Sequence, residues 1–192
     1  MILPVLKFGH PILRQKGVRI DTITPEIREL IANMKETMYA AKGIGLAAQQ
    51  VGKALQLAIV DVRGVSDRPS TLELNGEPAE VASFMPVILI NPQLTPAGEL
   101  AEGPEGCLSF PEIYADISRP ESVEVTALDE KGRKYSCRCG GLLARAIQHE
   151  VDHLKGILFI NRMSTAKIKE LKPELDALQT ATKEALKNKI RT

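Results

Sequence analysis

Residues 148–156 read QHEVDHLKG, and inside that stretch His149 and His153 stand four apart with Glu150 between them. Positions i and i+4 stack on one face of an α-helix, so two imidazoles spaced this way can address a single ion. The longer run GGLLARAIQHEVDHLKG is entered through glycines and ended at Gly156, which predicts a helix across it. Glu150 lies beside the first imidazole. There it can take a proton from a water whose pKa a Lewis-acidic metal has lowered, without being a ligand itself. The chain has only three histidines and spends two of them in this register, which favours a metal site over a satisfied or exposed histidine pair.

A third protein ligand is required, and two kinds compete. Glu170 or Glu174 on a later helix would make the site that of a zinc endopeptidase, but both lie in a Lys-rich run that looks solvated. Cys107, in PEGCLSFPE, lies in a segment bounded by Gly and Pro that reads as an extended loop. A thiolate with two imidazoles is sound metal chemistry and leaves a fourth position for water. Cys137 and Cys139 are two apart on a predicted strand, share a face, and read as packed thiols. An odd set of three cysteines gives no disulfide framework.

Elsewhere, TPEIRELIANMKETMYAAKG predicts a helix, with Thr24 as N-cap, Pro25 in the first turn and Gly43 near its end. Ile27, Leu30, Ile31, Met34 and Met38 recur at helical spacing, so the methionines belong to the core. LQLAIVD (55–61) and PVILINP (86–92) read as buried strands, and residues 64–86 as a long acidic surface excursion. ESVEVTALDEKGRKYSCRC alternates on both sides of DEKG, a hairpin pattern. ILFI reads as a short strand. A helical tail starts near Ser164 or Thr165, with Pro173 as a kink or a restart. The class is α+β.

Length allows one domain: a body over 1–163 and a helical tail of that domain over 164–192. With 4% aromatic residues and no Trp, the core must be mainly Ile, Leu, Val, Ala and Met. Net charge is +1, with 25 basic against 24 acidic side chains, so nothing points to DNA or another nucleic-acid substrate. The N-terminal segment lacks the pattern of a signal peptide, and no apolar run approaches the ~18 residues that span a bilayer. A cytoplasmic protein with no membrane partner is expected.

GIGLAAQQ (43–50), EGCLS (105–109) and QHEVDH (148–153), in this order, resemble the three signature motifs of the peptide deformylases, and the resemblance runs from LPVLKFGHPILR to about residue 163. It implies antiparallel or mixed β-sheets around a central HExxH helix, with an N-terminal and a C-terminal helix. It also implies that Cys107, His149 and His153 hold the metal, with Glu150 as general base and then acid. Gln50 and the backbone N–H of Leu108 would bind the oxyanion, donors from two loops aimed where charge develops. The implied substrate is the N-formylmethionine end of nascent peptides, and the implied metal is Fe²⁺, with Zn²⁺ or Ni²⁺ as substitutes. Gly43 and Gly45 then let backbone approach the substrate, since the partners of a phosphate loop are missing.

Leu142 and Ala146, seven and three residues before His149, fall on the metal face of the helix. With Ile44, Gly45 and Glu105 they could line a slot for an unbranched apolar side chain; plain core packing explains Leu142 and Ala146 nearly as well. Arg145 borders the same face, its head seeking solvent. Asp152, between the two histidines, calls for a partner, and Arg119 fits that role, matching an arginine of the family. His10 stands where relatives commonly carry an acidic residue. In the tail, Lys167, Lys169, Lys172, Lys183, Lys187, Lys189 and Arg191 outnumber Glu170, Glu174, Asp176 and Glu184. Family members with such a helix are thought to dock with it on the ribosome, and rRNA would attract this charge. An ordinary helix packed through Ile168, Leu171, Leu175 and Leu178 is compatible with that.

Overall fold

The computed structural model describes residues 1–190, with side chains to residue 188. Its centre is one helix, α3 (Gly141–Leu154), buried from Leu142 through Leu154. A helix buried all round has to be enclosed by other elements. Seven strands provide most of the enclosure: β1 (Gly45–Ala47), β2 (Leu57–Val60), β3 (Ser70–Leu74), β4 (Glu77–Pro78), β5 (Val87–Cys107), β6 (Phe110–Leu128) and β7 (Lys134–Gly140). Their order is β1-β2-β5-β6-β7-β3-β4, and every strand pairing is antiparallel. The expected alternative of a mixed sheet is therefore replaced by an antiparallel one; among the described residues the single parallel contact is the isolated bridge Val18–Leu55.

The sheet separates apolar clusters. On one side Leu143, Ala144, Ile147 and Val151 of α3 meet Ala58 and Val60 of β2, Leu89 of β5, and Val123 and Val125 of β6. On the other, Ile31, Met34 and Met38 of α1 (Pro25–Ala40) meet Leu57 and Ile59 of β2 and Ile88 and Ile90 of β5. Strands covered on both faces must be apolar throughout, which is why LAIV and VILI carry no alternation. Each such Leu or Ile contributes about 1.5–3 kcal/mol. The Thr24 side chain accepts from the Ile27 N–H and caps α1 as expected.

A third cluster gathers Leu13, Phe110, Ile117, Leu158, Phe159 and Met163 under the C-terminal helices. These are α4 (Thr165–Glu170), capped by the Ser164 side chain, and α5 (Lys172–Ile190), a restart with Pro173 in its first turn. Leu175 is buried there, with Ile168, Leu171 and Leu178 packed beside it, so the tail is docked on the body.

Three local expectations are corrected. ILFI is not a strand: Phe159–Asn161 form a 3-10 turn, because a four-residue apolar run beside the end of α3 can be buried without a ladder partner. Residues 64–86 are not only surface. They contain β3, which pairs with β7 and buries Leu72, then β4 and the short helix α2 (Val81–Phe84). Cys107 is not in a loop but closes β5, which runs 21 residues because it pairs with β2 over Val87–Ile90 and with β6, through three register shifts, from Ile90 to Cys107. Cys137 and Cys139 are buried thiols on β7 facing the α3 core, Sγ to Sγ 3.6 Å.

Candidate metal centre

Helix α3 and the end of β5 bring Cys107, His149 and His153 together, one ligand atom of each lying within 4.8 Å of the others. Among the described residues this is the one grouping of three or more Cys, His, Asp or Glu suited to an ion. Cys107 Sγ is 3.4 Å from His153 Nε2. Two ligands of one tetrahedral ion, with bonds of about 2.0–2.3 Å, stand at about that separation. The donor set therefore fits a single borderline-soft divalent metal. Glu170 and Glu174 are exposed, Glu170 paired with Lys167, and neither joins the group.

Behind the ligands lies a buried ion network. Glu105 Oε2 bonds His149 Nδ1 at 2.9 Å, which turns the other ring nitrogen towards the site. The same carboxylate receives Arg119 Nε at 2.5 Å and Arg119 Nη2 at 2.9 Å, a bidentate pair, and Arg145 Nη1 at 3.0 Å. Burial alone would raise the Glu105 pKa, but the bonds from His149 and Arg119 hold it at about 2. Arg119 Nη1 also reaches Asp152 Oδ2 at 2.8 Å, and Arg162 Nη2 reaches Asp152 Oδ1 at 2.6 Å. Burial opposes charge on both histidines. On His149 the contacts with Cys107 and Glu105 outweigh it and raise the pKa well above normal, while His153, facing His149 and Arg119, is held well below.

In front of the ligands a cavity of about 430 Å³ opens, lined by Ile44, Gly45, Gln50, Leu142, Ala146 and Glu150 among others. The Gln50 amide is oriented by the Ala47 N–H, which donates to Oε1 at 2.8 Å; Nε2 is left to meet Ser109 Oγ at 3.2 Å and Cys107 Sγ at 3.5 Å. The Leu108 N–H, on the cavity wall, has no partner among the described residues. Glu150 is buried, its Oε2 also has no partner, and burial pushes its pKa up to about 7. A Cβ on Gly45 would collide with the Glu150 carboxylate, so the glycine is what allows β1 to pass this close.

Two expectations change. Glu105 borders the cavity, but its carboxylate is consumed by His149, Arg119 and Arg145 and is not offered to a slot. The Arg145 head does not seek solvent: it is buried and donates to Ile117 O and Ala101 O at 2.7 Å each. Arg162, Ser109, Arg68 and the exposed Tyr114 also belong to the surroundings of the site and were missed by the sequence reading. Only Ser109, the last residue of the EGCLS motif, left a signal.

The matched family model is that of polypeptide deformylase, over residues 2–169. A peptide deformylase of Methylacidiphilum infernorum is 45% identical over 179 residues, 93% of this chain and 94% of that one. One of Opitutus terrae is 42% identical over 191 residues, covering 97% and 98%. Among solved structures, a peptide deformylase of Synechococcus elongatus in complex with actinonin superposes with a TM-score of 0.76 at 40% identity, covering 90% of this chain and 85% of that one. Arabidopsis thaliana peptide deformylase 1B gives a TM-score of 0.81 at 36% identity, covering 95% and 93%. Sequence and architecture agree along nearly the whole length, and this chain belongs to the polypeptide deformylase family, hydrolases that remove N-formyl groups.

Proposed function

We propose that the chain hydrolyses the formamide bond of N-formylmethionyl nascent peptides, giving formate and a free amino terminus. The observation that carries this reading is the convergence, around one cavity, of a Cys-His-His donor set, an unpartnered Glu150 carboxylate oxygen and an oriented Gln50 amide. Cys107, His149 and His153 hold the metal, which we assign as Fe²⁺, with Zn²⁺ or Ni²⁺ able to substitute. When bound there, the ion would supply Lewis acidity that lowers the pKa of water towards neutrality. Glu150 takes the proton of the attacking water at its free oxygen and returns it to the departing nitrogen. Gln50 Nε2 and the Leu108 N–H donate to the formyl oxygen as charge accumulates on it. Ile44, Gly45, Leu142 and Ala146 receive the methionine end, whose unbranched side chain suits their apolar wall. Glu105 holds His149 in register from behind, and the Arg119–Asp152 pair ties α3 to β6.

The exposed Lys183 and Lys187 give α5 a basic surface suited to docking on the ribosome; the Lys189 side chain and Arg191 lie outside the described residues.

The test is formate release from formyl-Met-Ala-Ser by protein purified anaerobically with Fe²⁺. Glu150→Ala is expected to keep its metal and lose turnover, and Cys107→Ser to lose both. A metal-loaded wild type that releases no formate sinks the reading. Retention of metal and activity in Cys107→Ser would favour an endopeptidase-like site instead.

A further inference from the structure

The turn that carries Leu108 is not specified by its own sequence. Cys107 pairs with Phe110, so Leu108 and Ser109 form a two-residue connection between β5 and β6. Such connections favour turns with residues at positive φ, typically Asn-Gly, yet neither Leu108 nor Ser109 is among the positive-φ residues. The ladder below gives little support. Gly106 pairs with Tyr114 while Cys107 pairs with Phe110, so residues 111–113 bulge out, with Glu112 at φ +58°.

Three consecutive residues of the N-terminal segment make up for this. Lys7 Nζ donates to Leu108 O at 2.7 Å, and the Phe8 N–H donates to Ser109 O at 2.9 Å, so both turn carbonyls are held. The Leu6 N–H donates to Gln50 O at 2.8 Å, which ties the same segment to the 3-10 turn Ala48–Val51 that carries the other donor. Phe8 is anchored by stacking on Phe110, ring centroids 4.8 Å apart. Lys7 is half-buried and has no carboxylate partner among the described residues. A charged donor on a carbonyl is about twice as strong as a neutral one.

We infer that Lys7 is a positioning residue for this reaction: its ammonium, together with the Phe8 N–H, clamps the Leu108–Ser109 turn and so holds the Leu108 N–H at the cavity wall where the oxyanion forms. The inference rests on the deformylase reading. Because Lys7 acts on the turn and not on the methionine slot, its removal should lower turnover more than affinity.

Lys7→Met and Lys7→Arg, metal-loaded and compared with wild type on formyl-Met-Ala-Ser, test this. In Lys7→Met kcat is expected to fall about tenfold with KM within about twofold, as for a misaligned donor. Lys7→Arg, which keeps charge and donors, recovers most of the loss. In the zinc-loaded protein, amide exchange at Leu108 and Ser109, followed by NMR, rises in Lys7→Met and not in Lys7→Arg. Should Lys7→Met fail to fold, Lys7→Gln replaces it and is expected to fall between the other two. A folded Lys7→Met with wild-type kcat, a loss confined to KM, or unchanged exchange at Leu108 overturns the inference. An inactive wild type would overturn the deformylase reading, and the exchange measurement would still decide whether Lys7 holds the turn.

Discussion

Glu105 bonds the His149 imidazole and Glu150 follows that histidine in the chain, and the two are buried almost equally, 7% and 4% exposed. Their states differ completely. Behind His149, Glu105 engages one histidine and two arginines and is held at about 2. In front, Glu150 keeps an oxygen with no partner, and its pKa is pushed up to about 7. Burial alone does not decide the state of a carboxylate; what it is buried against does. The network behind His149 is satisfied and fixes its geometry, whereas Glu150 retains unspent hydrogen-bonding capacity, which suits the base role proposed for it.

The two faces can be told apart by what they lose. Glu150→Gln is expected to lower formate release by about 10²–10⁴-fold while the metal stays bound. Its thermal midpoint should match or exceed that of wild type, since no bond to Oε2 is removed. If the variant melts much earlier, the front carboxylate is structural too and the comparison fails. Glu105→Gln should do the reverse. It leaves Arg119 and Arg145 short of a buried counter-charge, and urea titration should show a loss of about 3–5 kcal/mol. With His149 no longer tethered as firmly, metal competition against a chelator should reveal about 10–100-fold weaker binding. Gly45→Ala sharpens the front alone. Its methyl group would displace the Glu150 carboxylate, so kcat should fall about 10-fold or more while urea stability shifts by less than about 1 kcal/mol.

The front was far more legible in the sequence than the rear. His149, Glu150 and His153 share one short helix, where spacing alone predicts a shared face. Cys107 and Gln50 lie in motifs whose family resemblance supplies what spacing cannot. The rear depends on contacts between distant residues: Glu105 meets His149 across 44 positions and Arg119 meets Asp152 across 33. The Arg119–Asp152 contact was expected because a buried acid needs a partner, but nothing local marks Glu105 as the partner of Arg119. The same reason hid the length of β5. Its Pro96, Gly98, Gly103 and Pro104 argue against a strand, and the pairing with β6 overrides them. Helix α1 was easy by contrast, since its cap, its proline and its apolar period are all local.

The smallest expected effect concerns the rim of the rear network. Asp152 has two guanidinium partners of unequal exposure, Arg119 at 3% and Arg162 at 44%. An ion pair that is nearly half in water is screened and contributes about 0–1 kcal/mol. Arg162→Ala also leaves Asp152 with Arg119, so no buried charge is abandoned. The expected outcome is a loss below about 1 kcal/mol, shrinking further at high salt, with kcat and metal affinity unchanged. Denaturant titrations of wild type and variant at low and high ionic strength measure it. A larger, salt-independent loss accompanied by weaker metal binding would mean that the network acts as one unit from Arg162 through Asp152 and Arg119 to Glu105 and His149. The rear would then extend to the surface, and its satisfied state would depend on an exposed arginine.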